Sequence, residues 1–346
     1  MDFSLLYFVN RETVDASREY KLLFSTAEFA DQHDFTAVWL PERHFHPFGG
    51  AYPNPALAAT AVAMRTRRVR LRAGSVIMPL HDPLSVVEDW SFVDNISHGR
   101  VDIALAVGWN PNDFALAPDR YEMRRDYTFE AMGEIKDLWA GMKVRRRNGH
   151  GDKVEISTYP RPVQPEPRLW FTCSSNPESF KEAGARGLNV LTALLFQSVD
   201  ELAASIENYR TARERNGHDP ATGVVTLMLH TFVGESDAAV AELVRQPFTE
   251  YLLSSIDLWK SRWSDLGRSH PGRLAKMAFE RYFHRAALFG SVERCTAFAR
   301  DLRAAGVDEI ASLVDFGVPD SEVLAMLPRL DEVRLNLRTS VASARS

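Results

Sequence analysis

The sequence predicts an α/β protein built as a (β/α)8 TIM barrel. Eight short apolar runs alternate with amphipathic helical patterns along the chain, and this alternation is typical of parallel strands joined by helices. The 346 residues are enough for one large barrel. A doubly wound sheet is the alternative, but no Gly-x-Gly-x-x-Gly motif follows the first apolar run, which disfavours it.

The predicted strands are short apolar runs bounded by polar residues, glycine or proline. In chain order they cover residues 3–9, 37–40, 69–78, 101–107, 169–173, 189–191, 224–233 and 309–314. Helices are predicted at residues 20–32, 54–64, 83–96, 121–139, 177–186, 199–216, 292–305 and 321–338. Several of these helices carry start signals, because Asn54 can cap the second helix and Pro83 and Pro177 suit a first turn.

Three stretches interrupt the alternation. Residues 245–289 are rich in Trp, Phe and Arg without a strand pattern, and they predict a helical insertion after strand seven of a single domain covering 1–338. Residues 141–151 are rich in Gly and Arg and indicate a surface hairpin or a mobile loop. The small, polar residues 339–346 predict a disordered tail.

The composition is ordinary for a globular protein, with 45% hydrophobic and 25% charged residues. A net charge of −5 argues against nucleic acid and against an anionic membrane surface as partners. The two cysteines, Cys173 and Cys295, exclude a disulfide framework and indicate a reducing compartment. Neither a signal peptide nor an apolar run of spanning length is visible, so we expect a cytoplasmic protein.

In a barrel of this kind, functional residues follow the carboxyl ends of the strands. That rule selects five segments, at residues 42–46, 74–81, 108–114, 174–176 and 192–197. Glu42, His44 and His46 alternate in the first of them. They suit proton transfer by an imidazole beside a carboxylate or metal ligation by a His-x-His pair. A local ion pair is the plainer interpretation, and the other histidines are scattered, which disfavours a metal.

The other segments carry weaker patterns. Gly74 and Ser75 interrupt a strand, which indicates either backbone close to a flat ligand or a simple bend. Ser174 and Ser175 precede a helix, so they form either a phosphate site or an ordinary N-cap. The loop containing Trp109 and Asn110 is either a ligand loop or a turn.

Taken together, these segments resemble the bacterial luciferase-like flavin monooxygenases over nearly the whole chain. The matching blocks are AVWLPERHF at 37–45, SVIMPLHDP at 75–83, SHGR at 97–100, GW at 108–109 and RG at 186–187. Four further blocks resemble the atypical branch of that family associated with polyketide and nonribosomal-peptide assembly lines. They are PERHFHPFGGAYPNP at 41–55, RAGSV at 72–76, GWNPNDF at 108–114 and HTF at 230–232.

The resemblance implies a barrel that binds FMN at the carboxyl ends of its strands. Reduced FMN is delivered by a separate flavin reductase, O2 is the co-substrate, and one oxygen atom enters a small-molecule or carrier-protein-bound substrate. Homodimers are usual in the family. The insertion after strand seven matches the substrate lid of the family.

The resemblance also implies roles for individual residues. His44 matches the active-site histidine that protonates or stabilises the oxygenated flavin. The Gly74–Ser75 bond matches a non-prolyl cis peptide that bulges against the isoalloxazine ring. The remaining matches are Trp109 and Asn110, which correspond to a cofactor-lining loop, and Ser174 and Ser175, which correspond to phosphate-binding positions.

One departure concerns the phosphate. Luciferase itself uses an arginine to hold the phosphate at the position where this chain has Val107. We therefore expect Arg124 or Arg125 to bind the phosphate together with Ser174 and Ser175.

Three alternative functions remain open: an F420-dependent oxidoreductase on the same barrel, a metal-dependent hydrolase using His44 and His46, and a non-catalytic flavin- or carrier-binding module.

Overall fold

The computed structural model describes residues 1–8, 16–255 and 271–342. The strands are β1 Asp2–Leu6, β2 Ala37–Leu40, β3 Arg70–Ile77, β4 Val101–Ala106, β5 Val144–Arg147, β6 Lys153–Ile156, β7 Leu169–Thr172, β8 Asn189–Ala193, β9 Val225–Gly234, β10 Leu288–Ser291 and β11 Glu309–Leu313. The helices are α1 Ala16–Gln32, α2 Pro55–Ala63, α3 Pro83–Ser97, α4 Arg124–Trp139, α5 Pro177–Ala185, α6 Val199–Arg215, α7 Asp237–Ser254, α8 Pro271–Arg285, α9 Val292–Ala304 and α10 Asp320–Ala342.

Within these ranges, eight parallel strands close into a barrel in the order β1-β2-β3-β4-β7-β8-β9-β11. Pairing of β11 with β1 and of β8 with β9 completes the closure. The predicted TIM barrel is therefore confirmed. Each residue of Ala37–Leu40 is buried, which explains why the barrel strands appear in the sequence as continuous apolar runs.

Side-chain caps fix where several helices begin. The side chain of Asn54 accepts hydrogen bonds from the backbone N–H groups that follow it, the nearer at 2.8 Å, and Pro55 starts α2. Asn176 caps α5 in the same way. Ser198 and Glu201 form a reciprocal capping box at the start of α6. These caps satisfy backbone donors that have no partner inside the helix.

The insertion differs from the prediction in one respect. The stretch 245–289 was expected to be wholly helical, but it runs into the strand Leu288–Ser291, which pairs in parallel with β9. Helix α7 starts earlier, at Asp237, and α8 ends at Arg285. The centre of the insertion, residues 256–270, lies outside the described residues.

Two smaller expectations can also be compared with the structure. Strands β5 and β6 pair antiparallel, so the stretch around 141–151 forms the expected hairpin. The disordered tail was predicted to begin at 339, but α10 continues to Ala342. Residues 343–346 lie outside the described part of the chain.

The amino-terminal half of the barrel interior is filled by a buried ion network. The Arg72 guanidinium donates from Nε to Asp102 Oδ2 at 2.7 Å and from Nη1 to Glu309 Oε2 at 2.6 Å. Its carbon Cζ lies 4.9 Å and 4.6 Å from the ring centroids of Trp39 and Trp170. This network closes one end of the barrel and leaves the carboxyl ends of the strands to form a site. Among the described helices, none is long and apolar enough to cross a membrane.

Candidate active site

Two histidines at the carboxyl rim of the barrel converge on one carboxylate. Glu42 follows β2, and its side chain is fully buried. Its Oε1 atom is 2.7 Å from His44 Nε2 and 2.6 Å from His81 Nε2, and its Oε2 atom accepts the N–H of Ile77 at 2.7 Å. The His44 side chain is 13% exposed and that of His81 is 29% exposed. One buried acid therefore orients two imidazoles that remain partly open to solvent.

The surroundings of Glu42 favour its ionised form. Burial is the largest influence and by itself would raise the pKa of Glu42, but the hydrogen bonds from His44, His81 and the Ile77 N–H hold that pKa below its usual value. An ionised carboxylate only accepts hydrogen bonds. The Nε2 atom of His44 must then carry the hydrogen, and Nδ1 is the ring atom that can exchange a proton with a ligand.

Beside this cluster, β3 carries an irregularity. The Gly74–Ser75 peptide bond is cis, as the resemblance implies. The register between β3 and β4 shifts between Ala73 and Val76, which marks a bulge. The Ser75 hydroxyl is hydrogen bonded to the Thr172 hydroxyl at the end of β7. The bulge therefore lies at the same rim as His44.

The loop after β4 requires a glycine. Gly108 has a φ of +74°, and a Cβ there would lie 2.8 Å from Ile77 Cγ2 and 2.9 Å from a ring carbon of Phe114. Any other residue would meet both the backbone restriction and this contact. The loop thereby brings Trp109 and Asn110 close to the rim.

Arg43 connects that loop to the segment carrying His44. Its Nη1 donates to Asp113 Oδ2 at 3.2 Å, and its Cζ lies 5.2 Å from the Trp109 ring centroid. Asn110 Nδ2 donates to Asp113 Oδ1 at 2.7 Å. Burial raises the pKa of Asp113, and the charge of Arg43 with the Asn110 hydrogen bond opposes that rise.

The two candidate phosphate serines lie in the loop between β7 and α5. Ser174 and Ser175 are both exposed, which leaves their hydroxyl groups accessible. Arg124 donates to the Tyr121 carbonyl and lies 4.2 Å from the Tyr121 ring centroid. Burial raises the pKa of the neighbouring Cys173 thiol, and the charge of Arg125 opposes that rise. Arg124 and Arg125 both lie in the first turn of α4, so each stays a candidate cation for the serines.

An aromatic cluster lies between the rim and the insertion. We call the rings of Phe48, His230, Phe248, Tyr251, Tyr282 and Phe316 the aromatic shell. Phe48, from the loop that carries His44, has its ring centroid 4.8 Å from that of Tyr251 in α7. His230 of β9 is edge-on to Phe248, Tyr251, Tyr282 and Phe316, at 4.8 to 5.9 Å. The insertion thus covers Phe48.

Sequence reasoning missed three members of the site. His81 was grouped with the scattered histidines although it ends the segment 74–81, which the barrel rule had selected. Arg43 and Asp113 were inside selected segments but carried no pattern of their own. His46 Nδ1 accepts from the Phe48 N–H at 3.1 Å. Among the described residues, no group of three or more His, Cys, Asp or Glu is arranged to hold a metal ion.

Comparison with known proteins shows the family of this chain. A sequence profile described as luciferase-like monooxygenase matches residues 1–309. The chain belongs to the luciferase-like monooxygenase family. This luciferase-like protein is accordingly an enzyme of the flavin-dependent monooxygenase class, and the resemblance inferred from the sequence blocks is confirmed.

Three individual proteins that resemble this chain share less than a third of its residues. The luciferase-like chain is 29% identical over 261 residues to the oxygenase component of a flavin-dependent trigonelline monooxygenase from Acinetobacter baylyi, covering 72% of this chain and 71% of that one. It is 27% identical to 4-hydroxyprotoasukamycin monooxygenase from Streptomyces nodosus subsp. asukaensis, covering 81% and 76%. The oxygenating constituent of 3,6-diketocamphane monooxygenase from Pseudomonas putida, solved with FMN, has the same fold, with a TM-score of 0.78, 17% identity and 96% of both chains covered.

Proposed function

We propose that the protein is the oxygenase component of a two-component system. It would take reduced FMN from a separate flavin reductase and use O2 to oxygenate a small-molecule or carrier-bound intermediate of secondary metabolism, acting as a homodimer. The observation that carries the proposal is His44, held by the buried Glu42 at the rim next to the Gly74–Ser75 bulge. The names of the Acinetobacter and Streptomyces relatives support the two-component organisation and the metabolic setting.

The residues at the rim fit FMN. The irregular part of β3 at Gly74 and Ser75 lies at the same rim as His44, and the Trp109 ring lies beside Arg43, so backbone and an aromatic ring are available to a flat ring system. Ser174 and Ser175 offer exposed hydroxyl groups ahead of α5, and this donor set, with Arg124 or Arg125 as the proposed cation, suits a phosphate. When bound, reduced FMN would supply the electrons that activate O2, of which one atom enters the substrate and the other leaves as water.

The side chains of the protein itself would orient the proton-transferring histidine and shield the site from water. His44 Nε2 donates to the ionised Glu42, so the ring orientation is fixed and Nδ1 is the atom that gives or takes a proton at the reacting centre. Trp109 and the aromatic shell would keep water out of the site. The resulting low dielectric would strengthen the hydrogen bond between His44 and Glu42 and prevent side reactions. Arg43 holds Trp109 in place for that role.

Replacing His44 tests the proposal. We expect His44→Ala to bind FMN with nearly unchanged affinity and to lose productive oxygenation by about 10²-fold or more, releasing hydrogen peroxide instead. The measurements are FMN fluorescence titration, O2 uptake with a flavin reductase, and a one-oxygen mass increase in candidate acyl- or aminoacyl-carrier substrates. His46→Ala, two residues along the same loop, is the matched control. Full coupled oxygenation by His44→Ala would contradict the assigned role.

The phosphate site is tested separately. The double substitution Ser174→Ala, Ser175→Ala should weaken FMN binding by about 10²-fold, because two hydrogen bonds to a charged group are lost. Arg124→Gln and Arg125→Gln, titrated in the same way, identify the cation, because only the arginine that pairs with the phosphate should weaken FMN binding when it is replaced. An unchanged dissociation constant in the serine variant would move the phosphate elsewhere. F420-dependent oxidoreductases share this barrel, so anaerobic turnover with reduced F420 would overturn the FMN proposal.

A further inference from the structure

Two histidines approach Glu42, and one of them, His81, is also fixed through its backbone carbonyl. His44 and His81 both approach Oε1, and they do so at nearly the same distance. The backbone of His81 is itself fixed, because its carbonyl accepts Arg120 Nη1 and the Tyr127 hydroxyl, each at 2.8 Å. His81 is therefore anchored on one side by α4 and the turn before it, and it reaches Glu42 from the end of β3.

We propose that His81 is a positioning residue that keeps Glu42 ionised and in place, and that through Glu42 it fixes the ring of His44. For its effect on turnover, this inference rests on the function proposed above. His81 need not touch flavin or substrate in this role. Its contribution is the second hydrogen bond to the oxygen that His44 uses.

The charge balance of the cluster supports this role. Burial penalises the ionised form of Glu42, and three hydrogen-bond donors compensate for it. Two of these donors, His44 and the Ile77 N–H, would remain if His81 were removed. The carboxylate would then keep its burial penalty with less compensation, so the pKa of Glu42 would rise. A protonated Glu42 no longer accepts the His44 hydrogen bond in its present form.

Other titratable groups face the cluster and define what the experiment must control. Asp113 lies close enough for Glu42 to add to the rise in its pKa. Burial raises the pKa of Asp89 on α3, and the charge of His81 opposes part of that rise. Arg120 and Tyr127 touch the His81 carbonyl. Since these groups stay in place when only the His81 side chain changes, the response of Glu42 reports the imidazole itself.

The linkage between His81 and Glu42 has a definite sign. The pKa of Glu42 is depressed in the folded protein, so its ionised form and the His44 hydrogen bond are lost as the pH falls. Removing His81 should make that loss begin at a higher pH. The acid limb of the activity profile should also move to higher pH. If His81 had only a structural role, its removal would lower the stability of the fold and leave the acid limb in place.

The test compares His81→Phe, which removes the donor, with His81→Gln, which keeps an N–H donor. In the full-length protein without flavin, carboxyl-labelled glutamate is titrated by NMR, and the Glu42 signal is assigned by its absence in Glu42→Gln. We expect the Glu42 midpoint to rise by about one pH unit in His81→Phe and by less in His81→Gln. His150→Gln, at an exposed position of the β5–β6 hairpin, should leave it unchanged.

Turnover gives a second measurement. With reduced FMN, His81→Phe should lose about tenfold in kcat, with its acid limit shifted upward, and His81→Gln should recover most of the loss. An unmoved Glu42 midpoint in both folded variants would overturn the inference. The NMR titration needs no flavin, so it tests His81 even if the proposed oxygenase function is wrong.

Discussion

His230 is a histidine that its surroundings keep uncharged. It lies in β9 inside the aromatic shell, with 6% of its surface exposed, and its Nε2 atom has no hydrogen-bond partner among the residues that the structure describes. Burial lowers the pKa of His230 to about 3. A buried polar atom without a partner costs about 1 to 3 kcal/mol, so this residue lowers the stability of the fold.

We expect His230→Phe to be more stable than the natural protein, and increasingly so in acid. In the unfolded chain the imidazole takes up a proton below about pH 6.5, whereas the folded protein resists this until about pH 3. The natural protein therefore loses about 1.4 kcal/mol per pH unit in that window, and the variant avoids this loss.

Urea denaturation at about pH 7.5 and about pH 5 measures the effect. The difference in unfolding free energy between the two proteins should grow by about 2 kcal/mol at the lower pH. A difference that stays constant would mean that His230 gains a proton in the folded state. A loss of oxygenation in a stabilised variant would show that the unpartnered nitrogen serves the substrate.

Single residues were predictable where their own sequence pattern carried the information. The alternation of Glu42 and His44 after an apolar run marked a rim site, and Gly74 marked the bulge. His81 was not predictable in this way, because it lies 39 positions from Glu42 in the chain and meets it only through the pairing of β2 with β3. Arg43 is buried by contacts from another loop, which its neighbours in sequence do not indicate.

At the level of elements, α5 and α6 approach closely at a glycine. A Cβ on Gly184 would lie 2.3 Å from the carbonyl oxygen of Tyr209 and 3.0 Å from Ala212 Cβ. Since the nearest atom is backbone, the two helices would have to separate. Gly184 is therefore required by packing, although glycine weakens a helix.

Gly184→Ala should destabilise the protein by about 1 to 3 kcal/mol, because overpacking outweighs the better helix propensity of alanine. Gly133→Ala in α4 is the matched control, since no atom lies within 4 Å of a Cβ there. It should stabilise by about 0.5 to 1 kcal/mol. Thermal melting of both variants decides the point, and equal melting shifts would show that α5 and α6 adapt without cost.

Element boundaries followed the local chemistry closely where caps and prolines were present, as at Asn54, Pro83 and Pro177. Prediction failed where tertiary contacts decide. The strand β10 has only four residues, three of them buried, and it exists because β9 extends far enough to pair with it. A short apolar run at the end of a helical stretch gives no sign of that partner.

For the whole molecule, the ion network around Arg72 determines how the barrel interior is filled. Arg72→Met would leave Glu309 and Asp102 buried with fewer partners, and breaking a buried pair in this way costs about 3 to 5 kcal/mol. Arg145→Met breaks an exposed pair with Glu155 and should change stability by about 0.5 kcal/mol or less. Denaturant unfolding of the two variants would reveal the contrast, and similar losses would mean that water reaches the barrel interior.

The barrel as a whole followed from the alternation of strands and helices, because parallel strands buried on both faces leave a repeated apolar pattern. The ion network, in contrast, could not be predicted from this alternation. Arg72, Asp102 and Glu309 lie in three separate predicted strands, and nothing in the sequence indicates that they meet. Closure of the sheet brings them together, and closure is a property of the complete chain.

Glu42 has one more consequence, which comes from its second oxygen. Oε2 accepts the Ile77 N–H, two residues beyond the Gly74–Ser75 bond, while Oε1 holds the two imidazoles. A single side chain thus joins the loop after β2 to the irregular part of β3. The two segments should behave as one rigid unit, so the arrangement of Glu42 with its two imidazoles exists before any ligand arrives.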